Sequence, residues 1–295
     1  MSRTPGTPPA APDAALIFLH VPKTAGVTLN TLIDRHYSPE AIYQTHIEAL
    51  DDFFALTDAE KQPIRCLRGH MPFGLHAALP RPATYLTLLR EPVARFVSEY
   101  TYIRTSPDHS FHEHLIANDV TLEAYIEIGE PNLMTRWLCG FAETGDWLPN
   151  PLPADAVATA QRHLAAYFSV AGLTERFDEF LLLLRRVHGW RRILYTRQNV
   201  TRARRPHNAI PRATLAAIAQ ANREDIALYA HAKAQFDAQV RAQGLAFQVE
   251  LRLFRLLNRL YADVSHRRRL RTVLRRGAYT IRRLPARIAR QRDAK

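Results

Sequence analysis

The sequence predicts an α/β fold: a central parallel sheet flanked by helices, with a helical C-terminal half and a basic helical tail. Three observations carry that prediction. Short apolar runs alternate with helix-like stretches through the first half, the pattern of βαβ units. The first run ends in a tight turn holding Lys23, Thr24 and Gly26, after which a helix starts. From Pro211 onward the apolar positions recur at helical spacing only.

The elements follow in order. Ala15–His20 (ALIFLH) reads as a strand and Thr24–Arg35 as the helix after it. Ile64–Arg68 and Thr84–Leu89 (TYLTLL) read as buried strands. Pro92, suited to a first helical position, opens a helix to about Arg104. Residues 109–150 read as helices with loops, broken by the turn-rich Gly145–Pro153. Phe168–Leu173 is a further strand, Glu175 to about Val187 an amphipathic helix, and Ile193–Thr196 a last strand. Pro211–Arg241 is helical with a break near Asn222. Residues 246–262 place Leu and Phe at helical spacing with Arg252, Arg255 and Arg259 along another face. This divides the chain into a Pro-rich disordered leader (1–14), a catalytic-sized domain (15–245) and a basic amphipathic helical tail (246–295).

Composition sets the bounds. With 47% hydrophobic and 23% charged residues in 295, the chain is an ordinary globular one. Two cysteines, Cys66 and Cys139, exclude a disulfide scaffold and a cysteine-rich metal cage. No apolar run reaches the roughly 18–20 residues of a spanning helix, and the leader lacks the apolar core of a secretion signal. A cytoplasmic location is expected. The net charge of +12 belongs to the tail: residues 251–295 hold 15 Lys and Arg against 2 acids. Within the body, Phe180–Arg223 is rich in Arg and free of acids, so an anionic partner is expected there. Lysine is scarce, at positions 23, 61, 233 and 295 only. A retained Lys in so Arg-biased a chain points to a need for a compact ammonium.

Two motifs carry chemistry. In LIFLH-VPKTAG-VTLNTLI, a strand, a turn and a helix N-terminus converge on one spot, a ready anion site to which Lys23 adds a full charge. Thr24 and Thr28 offer hydroxyls, and Gly26 allows close backbone approach. The turn is P-loop-like, yet it lacks the first glycine of that signature. In LLREPVARFVSEY, Arg90 ends a strand at the edge where α/β sheets bind ligands, and Ser98 lies two turns into the next helix. The two suit a phosphate clamp, the guanidinium by its fork; pairing of Arg90 with Glu91 or Glu99 is the structural alternative.

Together these motifs resemble the sulfotransferases that use 3′-phosphoadenosine 5′-phosphosulfate (PAPS). H-V-P-K-T-A-G-V-T-L is similar to their 5′-phosphosulfate loop, and R-E-P-V-A-R-F-V-S-E-Y to their 3′-phosphate motif. R-G-H-M-P-F-G (68–74), N-L-M-T-R-W-L-C-G (132–140) and V-A-G-L-T-E-R-F-D (170–178) resemble the glycan branch that includes the uronyl 2-O-sulfotransferases. The resemblance implies PAPS as co-substrate, no metal, and sulfuryl transfer to a hydroxyl of a saccharide or glycoconjugate. It assigns Lys23 to the bridging oxygen; Thr24, Ala25, Gly26, Val27 and Thr28 to the 5′-phosphosulfate; and Arg90 and Ser98 to the 3′-phosphate. His70, in the G-H motif, is implied as general base, with His20 as fallback or as a residue orienting the loop. The animal glycan enzymes carry an N-terminal anchor, so the expectation here is a bacterial, cytoplasmic member.

Weaker features remain open. His109, His112 and His114 lack an established metal spacing. Arg136 and Trp137 are candidates to touch a sugar, or core and surface residues. Arg202, Arg204 and Arg205 either close over an anion or form a solvated loop, and Glu175 and Arg176 are expected to steady a helix. The tail reads as a peripheral arm on an anionic membrane surface, a nucleic-acid arm, or a helix docked on the body; its apolar stripe disfavours nucleic acid. The rival functions are a P-loop-type ATP-dependent kinase and a non-catalytic nucleotide or nucleic-acid binder.

Overall fold

The structure, a computed structural model, describes residues 13–140, 152–196 and 210–266. Its strands are β1 (Ala15–Leu19), β2 (Ile42–His46), β3 (Cys66–His70), β4 (Ala83–Leu89) and β5 (Phe168–Leu173). They form one five-stranded, wholly parallel sheet in the order β2-β3-β1-β4-β5. Helix α1 is Gly26–Ile33, α2 Leu50–Ala55, α3 Asp58–Lys61 and α4 Pro92–Thr105. Then come α5 (His112–Ala117), α6 (Leu122–Ile128), α7 (Leu133–Cys139) and α8 (Ala156–Tyr167). The C-terminal half adds α9 (Phe177–His188), α10 (Arg212–Ala221), α11 (Arg223–Arg241) and α12 (residues 244–266).

The central strands are apolar on both faces because helices cover both: every residue of β1 is buried. β2 is the edge strand that sequence reading misses. Its IYQTH carries three polar residues in five and is only partly buried, so neither alternation nor an apolar run marks it. β3 starts two residues later than expected because Ile64 N–H still closes the turn after α3, on the Lys61 carbonyl. No strand forms at 193–196. Ile193 and Tyr195 are buried, which is the alternation that suggests one. The backbone there pairs instead with side chains: Arg35 donates to the Leu194 carbonyl, and the Tyr195 N–H to Asn258 Oδ1 at 2.7 Å. Most of the expected Gly145–Pro153 break, the leader through residue 12, and the tail beyond 266 lie outside the described residues.

The main core surrounds the sheet, and a second apolar cluster (Phe96, Ile103, Leu115, Tyr125, Ile218 and neighbours) joins α4, α5, α6 and α10. α12 docks on the body by one face: Phe247, Leu251 and Phe254 enter the main core. Glu250 draws in Arg185 and Arg186 of α9, and Arg255 reaches Asp178 at 3.4 Å. Part of the anionic partner expected for the Arg-rich stretch is thus the chain's own Glu250. Arg176 ties α9 to α11 through Glu179 and Asp237, while Glu175 accepts the Glu91 N–H and the Tyr229 hydroxyl, both at 3.0 Å. The expected steadying role of this pair therefore reaches across elements.

α7 is held by a buried polar lock. The Asp225 carboxylate accepts the N–H groups of Met134 and Thr135 and the Thr135 hydroxyl, at 3.2, 2.7 and 2.7 Å. Asn132 Oδ1 accepts the Asp225 N–H, and the Asn132 N–H donates to Asn222 Oδ1, each at 3.1 Å. Asn222 is where α10 breaks from α11, so the helical break exists to present this cap. Burial raises the Asp225 carboxyl above its ordinary value. Asp225→Ala leaves three donors unpaired in the core and is expected to lower unfolding stability by about 3 kcal/mol, read from urea midpoints, with Asp225→Asn losing less.

Candidate functional site

The chain leaves β1 to build β2 and β3 on one side, then returns to β4 and β5 on the other. The C-terminal ends of β1 and β4 therefore border the topological switch point, where such sheets open a ligand crevice. Three sequence-predicted regions reach this edge: the loop after β1, His70 at the end of β3, and Arg90 directly after β4.

The loop is strained. Lys23 and Ala25 stand at φ 70° and 68°, in the left-handed region that side chains disfavour, at a cost of order 1–3 kcal/mol each. Thr24 is fully buried and its hydroxyl donates to the Val21 carbonyl at 2.7 Å, which closes the turn. That hydroxyl is thereby committed to the loop rather than offered as a donor to an anion. Ala25 caps α1 without a side-chain hydrogen bond, and the first turn carries no acid. In the first turn of α1 the Thr28 N–H bonds the Ala25 carbonyl at 3.1 Å, while the N–H groups of Gly26 and Val27 have no intrahelical carbonyl, so an open positive helix end sits at the sheet edge. Val27 is exposed in that turn and Thr28 buried. α4 differs: its own Glu91 carboxylate accepts from Val93 and Ala94 at 3.1 and 2.7 Å, so its N-terminus is already closed. The rival partners named for Arg90 are likewise engaged, Glu91 in that cap and Glu99 with Arg95 at 3.1 Å.

Arg90 is buried, and its Nη1 donates to the Lys23 carbonyl at 3.0 Å. This bond ties the end of β4 to the loop and brings a guanidinium beside an ammonium. Burial, and secondly Arg90, depress the Lys23 amine to about 8, with Glu99 opposing. Ser98 is half-buried on α4, one turn before Tyr102. Tyr102 is the residue that sequence reasoning misses: Lys23 Nζ lies 3.7 Å from the centre of its ring. The available signal was its position four residues after Ser98 on the same predicted helix.

On the other flank, His20 and His70 stack at 4.3 Å with an interplanar angle of 29°. His70 Nδ1 lies 2.7 Å from the His20 carbonyl. A carbonyl only accepts, so Nδ1 holds the proton and Nε2 of the neutral ring keeps its lone pair. Burial lowers His70 below the ordinary histidine value, opposed by the His20 carbonyl and Glu48, so the ring is neutral at pH 7. Burial lowers His20 still further, helped by His70 and Lys23. His20 also explains Gly26, since a Cβ there would lie 1.9 Å from the ring's Nε2. Gly69, at φ 147°, is required for a different reason: its Cβ would meet the Thr45 carbonyl of β2 at 1.7 Å.

The remaining candidates do not converge here in the same way. Trp137 is buried, with its ring edge-on to His70 at 5.8 Å, and Arg136 donates to the Pro131 carbonyl at 3.1 Å. His112 Nδ1 lies 2.7 Å from the Ile103 carbonyl, His109 accepts the Phe111 N–H, and His114 stacks on Phe111. Among the described residues no group of three or more His, Cys, Asp or Glu is arranged to hold a metal ion. Arg202, Arg204 and Arg205 lie outside the described residues.

An uncapped helix N-terminus, a lysine and an arginine meeting at the switch point of a parallel sheet have the chemistry of a phosphate or sulfate cradle. The sequence model of the galactose-3-O-sulfotransferases matches residues 2–276, and the chain belongs to that family. Galactose-3-O-sulfotransferase 3 of Bos taurus is 31% identical over 263 residues, covering 81% of this chain and 61% of that protein. The Homo sapiens protein of the same name is 30% identical, covering 81% and 60%. Uronyl 2-sulfotransferase of Mus musculus is 28% identical over 121 residues, or 35% of this chain and 28% of that protein. The motif resemblance to the uronyl enzymes thus holds over a shorter stretch than the likeness to the galactose enzymes. The chain spans about three-fifths of the length of those galactose relatives. A mouse sulfotransferase crystallised with PAP superposes with a TM-score of 0.36 at 15% identity, covering 72% of this chain and 66% of that one.

Gly26→Ala places a methyl group inside the His20 ring position. It is expected to lower the thermal midpoint by roughly 3–8 °C in a calorimetric scan, the cost of overpacking at a site that cannot yield without unstacking His70.

Proposed function

We propose that this chain is a sulfotransferase that moves a sulfuryl group from PAPS to a hydroxyl of a saccharide acceptor. One observation carries the reading: Arg90 is hydrogen-bonded to the Lys23 backbone at the uncapped end of α1, so two cations and an open helix dipole share one spot. Such a cluster fits a ligand with separated anionic groups, and PAPS has a 5′-phosphosulfate and a 3′-phosphate. When bound, PAPS supplies an activated sulfuryl group.

The chain's own residues then have these tasks. The N–H groups at Thr24–Val27, with Thr28 beside them, hold the 5′-phosphosulfate. Lys23 stabilises negative charge developing on the bridging oxygen as the bond to sulfur breaks. Arg90 and Ser98 hold the 3′-phosphate, the feature that separates PAPS from ATP. His70 Nε2 takes the proton of the acceptor hydroxyl as its oxygen bonds to sulfur, with the His20 carbonyl fixing the tautomer that leaves Nε2 free. The acceptor suggested by the relatives' names is the 3-hydroxyl of a galactose unit.

Titration calorimetry with 3′-phosphoadenosine 5′-phosphate tests this reading, with 5′-AMP and ATP as controls. Affinity is expected to fall about 10–100-fold when the 3′-phosphate is missing or when Arg90 is replaced by Ala. Equal binding of ATP, or binding unchanged in Arg90→Ala, overturns it in favour of an ATP-dependent enzyme.

A second proposal concerns α12, whose outer face supports an anionic membrane surface as partner. Opposite the docked face, Leu245, Val249, Leu253, Leu256, Leu257, Leu260 and Val264 are all exposed, Leu245 by 85%. Arg252 and Arg259 flank that stripe, and residues 267–295 follow it with 12 Lys and Arg and a single acid. An apolar face bordered by this much positive charge complements acidic headgroups and the acyl boundary beneath them. In sedimentation assays the protein is expected to pellet with phosphatidylglycerol-rich vesicles and not with phosphatidylcholine, and to be released by salt or by Leu253→Ser with Leu260→Ser. No pelleting, or a lipid-independent dimer through this face, overturns the proposal.

A further inference from the structure

The Lys23 ammonium sits 3.7 Å from the centroid of the Tyr102 ring, within the range in which an aromatic face attracts a cation. Lys23 belongs to the loop after β1 and Tyr102 to α4, so the contact spans the crevice between β1 and β4. The other charged or titratable groups that act on Lys23 are His20 in the loop, Arg90 after β4, and Glu99 on α4. None of them is a dedicated counter-charge. Arg90 repels the ammonium, burial keeps His20 neutral, and the Glu99 carboxylate already pairs with Arg95 at 3.1 Å. The quadrupole of the Tyr102 ring faces the ammonium directly.

We infer that Tyr102 is a positioning residue of the donor site: its ring is the seat that holds the Lys23 ammonium charged and aimed across the crevice. The inference rests on the proposed reading of this site as the PAPS site. Without the ring, burial and Arg90 act on Lys23 with less opposition, and more of it becomes neutral amine. A neutral amine cannot stabilise charge on the bridging oxygen. Tyr102 is 40% exposed, and besides Lys23 its ring meets the His109 imidazole, centroids 5.7 Å apart and nearly perpendicular. Its hydroxyl plays no part, so phenylalanine serves equally well.

The scarcity of lysine makes the test direct. The four lysines, at 23, 61, 233 and 295, can be resolved by mass spectrometry after competitive acylation of the full chain across a pH series, without any nucleotide. Lys233, exposed and paired with Asp237, serves as reference. Lys23 in the unaltered protein is expected to titrate at about 8. Tyr102→Leu is expected to lower that midpoint, so that at neutral pH Lys23 reacts about fivefold faster relative to its own plateau. Tyr102→Phe is expected to match the unaltered protein. Using the midpoint removes the effect of easier reagent access once the ring is gone. A midpoint unchanged in Tyr102→Leu, or lowered equally in Tyr102→Phe, overturns the seat. The parallel arm is calorimetry with 3′-phosphoadenosine 5′-phosphate, where Tyr102→Leu is expected to lose more affinity above the Lys23 midpoint than below it. A shifted midpoint in a protein that binds no such nucleotide upholds the seat and overturns the donor reading.

Discussion

The arrangement depends on one hydrogen bond between two distant parts of the chain, from the Arg90 guanidinium to the backbone carbonyl of Lys23. It joins the end of β4 to a loop whose backbone is strained at two positions, and so holds in place a conformation the loop would not favour alone. The bond also creates an electrostatic tension. It sets a buried guanidinium beside a half-buried ammonium, and that repulsion adds to burial in depressing the Lys23 amine. Glu99, paired with Arg95, offsets part of it, and Glu91 closes the first turn of α4. In the proposed reading an incoming anion eases that repulsion.

The same logic explains the opposite flank. His70 has its tautomer fixed by a main-chain carbonyl rather than by a carboxylate. An acidic partner would raise its proton affinity and place negative charge close to the anion site. The carbonyl orients the ring without bringing in a full negative charge, and burial outweighs its upward pull to keep the ring neutral.

Much of this was legible in the sequence, because residues that serve backbone geometry and charge leave local signatures. The ALIFL run, the K-T-A-G turn and the Pro92 helix start each declare themselves within a few residues, and the sheet follows from them. Phe168–Leu173 was read to the residue as a short apolar run with an amphipathic helix following it. Other features were hidden for physical reasons. β2 is a polar edge strand that exists because β3 offers it a partner. The 193–196 segment alternates like a strand but pairs with side chains from α1 and α12. Tyr102 looks like any aromatic on an amphipathic helix, and its role is visible only once a loop 79 residues earlier is laid against it. The Thr24 hydroxyl looked available to a ligand, and the fold turns it inward.

The polar lock at the base of α7 has a mechanical consequence. Asn132 and Asp225 make α7 an extension of the α10–α11 break rather than an independent helix. α7 in turn carries Trp137, whose ring edge meets His70 and whose carbonyl receives the Phe73 N–H just beyond it. The ring beside the proposed base is thus held, through α7, by a helical junction some ninety positions further along the chain.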